Sequence, residues 1–323
     1  MWLRMDLISF SVPGNLLLMG EYTILEEKGL GLAIAINKRA FFSFKKSDSW
    51  RFFSKKKEID DFSLIENKND FVFKMFAYLN QNYFFNLESF SYDVYIDTSN
   101  FFFNDGIKKG FGSSAVVAIG IVCGLFLISN ATNVVEKDKI FRYCLEAYRH
   151  SQGGIGSGYD IATSIFGGVV KFEGGFTPKY RRLDAVEFND FYLMQGLQAV
   201  KTTTSICEYN KHRDSILDFI FKCNLEMKKL VLSIGSSKSV LIASLKRAKE
   251  LGLAIGEAIG VSAALPSSLE HLQDKCDLIK ALGAGNETFL VYRPNIRAFD
   301  LSKIIPIVLE HESIKFESIK CQG

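Results

Sequence analysis

The chain has 323 residues, 48% of them hydrophobic and 23% charged, and a net charge of +3. That is enough apolar material for a large core, and the length exceeds what one core usually spans, so two domains are expected. So slight a charge, with basic runs (Lys45-Lys46, Lys55-Lys56-Lys57, Lys228-Lys229) that are dispersed and not interleaved with aromatic residues, argues against a nucleic-acid partner.

The six cysteines show no C-x-x-C or metal spacing and read as reduced thiols, and no export signal is visible at the N-terminus, which together predict a cytoplasmic protein. Along the chain, Leu7 to Val12 predicts a strand, Pro13-Gly14 a tight turn and Asn15 to Met19 a second strand. Leu32 to Ile36, Ala40 to Phe44 and Trp50 to Ser54 predict further strands of one antiparallel sheet. Phe71 to Asn82 has helical spacing, and Tyr92 to Ile96 alternates as a strand. Ala115 to Ile128 is apolar but short for a membrane span and is expected to be a buried core helix, so no membrane partner is predicted. Lys137 to His150 is a further helix, Ile161 to Phe166 a short one, and Val169 to Phe172 a strand. A boundary near residue 185 divides the chain into 1–185 and 186–323. Beyond it, Ser205 to Leu225, Ser236 to Gly252 and Ser267 to Ala281 predict helices, and Phe191 to Gly196 and Thr288 to Tyr292 strands, giving a second α+β domain.

Neither the P-loop nor the dinucleotide fingerprint is present, and the four histidines are scattered. What stands out is Lys108-Lys109-Gly110-Phe111-Gly112-Ser113-Ser114-Ala115, two cations feeding a Gly/Ser turn that enters an apolar helix. Glycines let the backbone approach a ligand, and a helix N-terminus favours anions, so the stretch reads as a phosphate cradle; by itself it reads equally as a Ser-capped helix entry. A second flexible loop, Ser151 to Gly158, ends at Tyr159-Asp160. A carboxylate there can orient or deprotonate a phosphoryl acceptor, or simply cap the helix that follows.

The loops occur in the order of the motifs of the GHMP kinase family. Pro13-Gly14-Asn15-Leu16-Leu17-Leu18-Met19-Gly20-Glu21-Tyr22 resembles that family's first motif, P-G-K-x-x-x-x-G-E followed by Tyr or His. Gly110-Phe111-Gly112-Ser113-Ser114-Ala115 resembles the second, Ser157-Gly158-Tyr159-Asp160-Ile161-Ala162 the S-G-x-D-x-A loop, and Gly283-Ala284-Gly285 part of the third. The resemblance implies a two-domain α+β fold, with a ribosomal-protein-S5-like α/β N-terminal domain and a ferredoxin-like C-terminal one. It also implies ATP and Mg2+ as cofactors, with Lys108 and the residues from Gly110 to Ala115 on ATP and Asp160 and Lys109 catalytic. Asn15, Glu21, Tyr22, Ser157, Gly158, Lys201, Thr204, Gly283, Ala284 and Gly285 would contact the acceptor. Ser114 would hold the metal, joined by Glu146 of the Glu146-x-x-x-His150 pair, for which a plain helix-face charge is the alternative. The lysine pair, Gly20-Glu21-Tyr22 and Lys201-Thr202-Thr203-Thr204-Ser205 most resemble members acting on a small-molecule acceptor, (R)-5-phosphomevalonate, as monomer or homodimer. Mevalonate or another small-molecule acceptor, and a non-catalytic nucleotide-binding relative, are the alternatives. One departure matters: Asn15 stands where the family has lysine, and an amide supplies hydrogen bonds but no charge.

Overall fold

The computed structural model describes residues 5–321 apart from 59, 84, 86, 104–105, 131, 133, 155, 184–186, 197–201, 235–236 and 284–286. The chain opens with a long strand, β1 (Met5–Met19), which pairs antiparallel with β2 (Leu30–Lys46). Pro13-Gly14 is not the turn expected from sequence. The strand runs through it, and the register shift there is taken up on the partner strand, where Asn37 and Lys38 of β2 bulge between the pairs Pro13–Arg39 and Gly14–Ile36. The two strands expected at 32–36 and 40–44 are likewise one.

Next come β3 (Arg51–Lys55), β4 (Ser63–Leu64), α1 (Phe71–Asn82) and β5 (Tyr92–Asp97). Asp70 caps α1 by accepting from Val72 N at 2.9 Å. The expectation of a wholly antiparallel sheet fails at β3, which runs parallel to β5; α1 lies in the connection between them, as a parallel crossover requires. Then follow α2 (Ser113–Asn130), α3 (Lys137–Ser151), α4 (Tyr159–Phe166), β6 (Val169–Glu173) and β7 (Lys179–Leu183). The second half holds β8 (Phe191–Gln195), α5 (Thr202–His212), α6 (Leu217–Ser233), α7 (Lys238–Ala258), β9 (Leu278–Ala281), β10 (Thr288–Tyr292), β11 (Ile304–Pro306) and β12 (Lys315–Cys321).

Two sheets result. The first has the order β12-β1-β2-β5-β3-β4, with β6 on β2 and β7 on β6; the second is antiparallel, β11-β8-β10-β9. The last strand of the chain thus returns to pair with the first. The expected helix from 205 to 225 is broken at Arg213–Ile216 into α5 and α6 by a 3-10 turn, and the one from 267 to 281 is a 3-10 run, Ser267–Lys275, followed by β9. Its apolar spacing served a strand because Leu278–Ala281 is buried on both faces.

By length and composition α2 could cross a membrane, but 72% of it is buried inside the protein. It lies against β2: a Cβ at Gly120 or Gly124 would collide with the rings of Phe42 and Phe44, so the small residues are what let the helix dock. That docking fixes where the N-terminus of α2 points.

Candidate active site

The turn that leads into α2 is held from three sides. Asn15 N, just past the register shift between β1 and β2, donates to Phe111 O at 3.0 Å. The Phe111 ring is buried edge-on against Phe101, 6.1 Å between centroids, and Thr288 Oγ1 at the start of β10 donates to Lys109 O at 2.9 Å. Gly110 and Gly112 both have φ near +70°, a conformation that favours glycine. A Cβ on Gly112 would also land on the side-chain amide of Asn15. The first intrahelical bond is Val116 N to Gly112 O at 3.0 Å, so the N-H groups of Ser113, Ser114 and Ala115 have no intrahelical acceptor. No acidic residue occupies the first turn. Free N-H donors, two serine hydroxyls and a backbone with no Cβ in the way suit an oligophosphate.

Asp160 lies in the first turn of α4, whose N-cap is Gly158; Ser157 and Asp160 are both partly accessible. The loop before it is fixed by a residue that sequence reasoning missed. Arg149, in the last turn of α3, donates to Gly156 O at 2.9 Å, Gly175 O at 3.0 Å and Phe176 O at 2.8 Å. The only signal for it is an arginine ending a helix just before a Gly-rich loop. Asp160 accepts from Ile161 N at 3.0 Å, yet burial pushes its carboxyl up to about 6. Among the described residues it has no ion-pair partner. Around it stand Cys144 and Tyr148 of α3 and Tyr159, whose own ionisation its charge helps to push upward.

Asn15 joins these two pieces. Its side chain, 1% exposed, donates from Nδ2 to Ser164 Oγ at 3.0 Å, one helical turn beyond Asp160, while the amide rests under Gly112. Among the described residues its Oδ1 has no partner. Asn15 is therefore a buried strut between the Gly110–Gly112 turn and α4.

The cations stand apart from Asp160. Lys109 Nζ donates to Asn100 O at 3.1 Å and sits 5.3 Å over the Phe103 ring; burial and the charge of Lys38 pull its pKa down. Lys108 is exposed. Glu146 is exposed too and accepts from Tyr83. Among the described residues no three His, Cys, Asp or Glu side chains group as a metal site, so Mg2+ here would rest on the Ser114 hydroxyl and on nucleotide phosphates, a donor set the ion accepts.

The remaining first-motif residues face the second sheet. Glu21, 5% exposed, accepts from Lys280 of β9, itself 3% exposed, and Lys280 also donates to Ala281 O at 2.8 Å. Burial drives the Glu21 carboxyl upward while Lys280 opposes it, and among the described residues Glu21 Oε2 lacks a partner. Tyr22 stacks on Tyr209 of α5 at 5.4 Å, and burial pushes its phenol up to about 12 against a hydrogen bond with Ser205. Tyr209 and Arg213 both donate to Glu26 at 2.7 Å, tying the segment after the first motif to α5 and to the 3-10 turn that follows it. Lys280 was absent from the sequence expectation because its segment read as helix. Thr204 is exposed on α5, Gly283 follows β9, and Lys201, Ala284 and Gly285 lie outside the described residues.

Residues 70–168 match the GHMP kinases N terminal domain. A phosphomevalonate kinase of Saccharolobus solfataricus is 30% identical over 192 residues, which are 58% of this chain and 53% of that protein. The chain thus matches about half the length of that curated relative. A solved structure of a Lin0012 protein from Listeria innocua has a TM-score of 0.78 at 17% identity, covering 97% of this chain and 99% of that one. Streptococcus pneumoniae phosphomevalonate kinase, in complex with phosphomevalonate and AMPPNP, gives 0.71 at 17% identity over 90% of this chain and 93% of that one. Methanococcus jannaschii mevalonate kinase gives 0.65 at 16%, over 96% and 98%. At these identities the structural likeness is one of fold.

Proposed function

We propose, for a chain that carries a GHMP kinase N-terminal domain on the GHMP kinase fold, that it transfers the γ-phosphoryl group of ATP to the phosphate of (R)-5-phosphomevalonate, forming the diphosphate. The observation that carries the reading is the Asn15 strut, which locks an oligophosphate cradle to the helix bearing Asp160. The choice of acceptor rests on the Saccharolobus solfataricus relative and on the acceptor held by the Streptococcus pneumoniae protein.

Bound Mg-ATP would supply the phosphoryl group and neutralise part of its charge. The chain's part is positioning and charge. The N-H groups of Ser113, Ser114 and Ala115 would bind phosphate oxygens, Ser114 Oγ would contribute to the metal's shell, and Lys109, which directly precedes the loop in sequence, would supply a positive charge. Asp160 orients the acceptor. A phosphate acceptor, with a second pKa of about 6, is already ionised near neutral pH and needs no strong base.

One observation favours a second reading, an alcohol acceptor such as mevalonate. Among the described residues Asp160 has no cation beside it, an arrangement suited to taking a proton from a hydroxyl and less suited to sharing space with a phosphate dianion. Incubation with Mg-ATP and each acceptor, followed by mass spectrometry of the products, tests both. A gain of one phosphoryl group on 5-phosphomevalonate supports the proposal; gain on mevalonate alone overturns it in favour of the second reading.

A further inference from the structure

The helix α6 is apolar on two sides. Ile220, Cys223, Met227 and Val231 recur at helical spacing and are buried, which accounts for the docking of the helix on the core. Leu217, Phe221, Leu225 and Leu232 form a second stripe on the outer side and are 45–65% exposed. They are four of the eleven large apolar side chains exposed among the described residues, so exposure of this kind is concentrated on one helix. Single surface leucines are ordinary; a stripe running the length of a helix whose core side is already supplied marks a contact surface.

The charges beside the stripe decide what covers it. Asp218 lies in the first turn of α6 and Lys228 and Lys229 near its end; Lys229 follows Asp218 by about three turns and so flanks the stripe on the same side. A second α6 laid parallel would set Asp218 beside Asp218 and Lys229 beside Lys229. Laid antiparallel, with a two-fold axis opposite residues 224–225, it sets Leu217 against Leu232 of the other copy and Leu225 against itself. Asp218 then comes within a turn of the other copy's Lys229, and the half-buried Lys228 comes level with the other copy's Phe221 ring, a pairing of cation and aromatic face. We propose that the outer face of α6 is the isologous interface of a homodimer, in which two copies of this chain pair through antiparallel α6 helices. A single helix pair falls at the small end of specific interfaces, so the dimer forms at micromolar concentration. The inference is independent of the choice of acceptor.

Sedimentation velocity of the full chain from about 1 to 200 μM should show a monomer–dimer equilibrium. Phe221→Asp should leave the protein monomeric with an unchanged circular dichroism spectrum, since the ring is 62% exposed in the single chain. Asp218→Lys should weaken the dimer about 10-fold by bringing like charges together, and adding Lys229→Asp should restore it. Cross-linking tests the register. In a Cys207→Ser background, which removes an exposed native thiol, Leu225→Cys should give a disulfide-linked dimer on mild oxidation. Leu217→Cys should not, unless Leu232→Cys is also present. A protein that stays monomeric over the whole range, or a dimer that Phe221→Asp leaves intact, overturns the inference. So does a charge exchange that fails to restore the dimer, or cross-linking through Leu217→Cys alone, because either contradicts the antiparallel pairing.

Discussion

Replacing Lys280 with methionine isolates the cost of the buried ion pair. The substitution nearly conserves length and apolar stem, so what it removes is the charge opposite Glu21 and the 2.8 Å bond to Ala281 O. Glu21 is then a carboxyl 5% exposed with no cation, and its escape is to take up a proton. Holding a carboxyl of ordinary pKa 4.5 protonated at pH 7 costs about 3 kcal/mol, at about 1.4 kcal/mol for each pH unit. That is close to the loss of about 3–5 kcal/mol typical of a buried pair with one partner deleted. The sign follows from linkage. A carboxyl whose folded pKa is raised binds more protons folded than unfolded, so stability is lost as pH rises above 4.5. The native protein shares the direction weakly, because Lys280 offsets burial; the variant has it in full. Urea unfolding from pH 5 to pH 8 should therefore show a gap between the two that widens with pH. The double change Glu21→Gln with Lys280→Met should recover most of the loss. A gap below about 1 kcal/mol at pH 7, or one that does not vary with pH, refutes the reasoning.

Asp160→Asn should lower kcat by at least about 100-fold, and the limb of the native pH–rate profile near pH 6 should be missing from any residual activity. The same change should stabilise the fold at neutral pH by about 1–3 kcal/mol, since a carboxyl raised from 3.8 to about 6 loses stability as pH climbs through that window; thermal melts at pH 5 and 8 check it. Gly112→Ala combines left-handed strain with a clash on the Asn15 amide, and should cost about 1–3 kcal/mol in melts while weakening AMPPNP binding measured by calorimetry. Asn15→Lys places an ammonium in a site sealed by Gly112 and Ser164, and should destabilise the fold by about 3 kcal/mol or more and slow turnover; a faster, stable variant would show that the strut is dispensable.

The parts of this site that could be read from sequence are those whose chemistry is local. A Gly/Ser turn entering an apolar run declares its own conformation, so the start of α2 behind Gly110 and Gly112 was legible, as was α1 from its spacing. The misses are non-local. Whether Pro13-Gly14 reverses the chain or continues a strand depends on the partner that β2 supplies, and whether 278–281 is helix or strand depends on burial on both faces. The pairs missed, Arg149 with the 174–176 turn and Glu21 with Lys280, join residues 26 or more apart, and no periodicity encodes them. Asn15 is the instructive case. In the sequence it stands where the resembled motif has lysine, and its amide supplies hydrogen bonds but no charge. In the fold the position is interior, Lys109 turns to Asn100, and the amide is a strut whose two contacts lie 97 and 149 residues away. A position whose role is to hold two motifs at a fixed distance is visible only once both motifs are in place, and a neutral side chain can serve there because what it must supply is spacing.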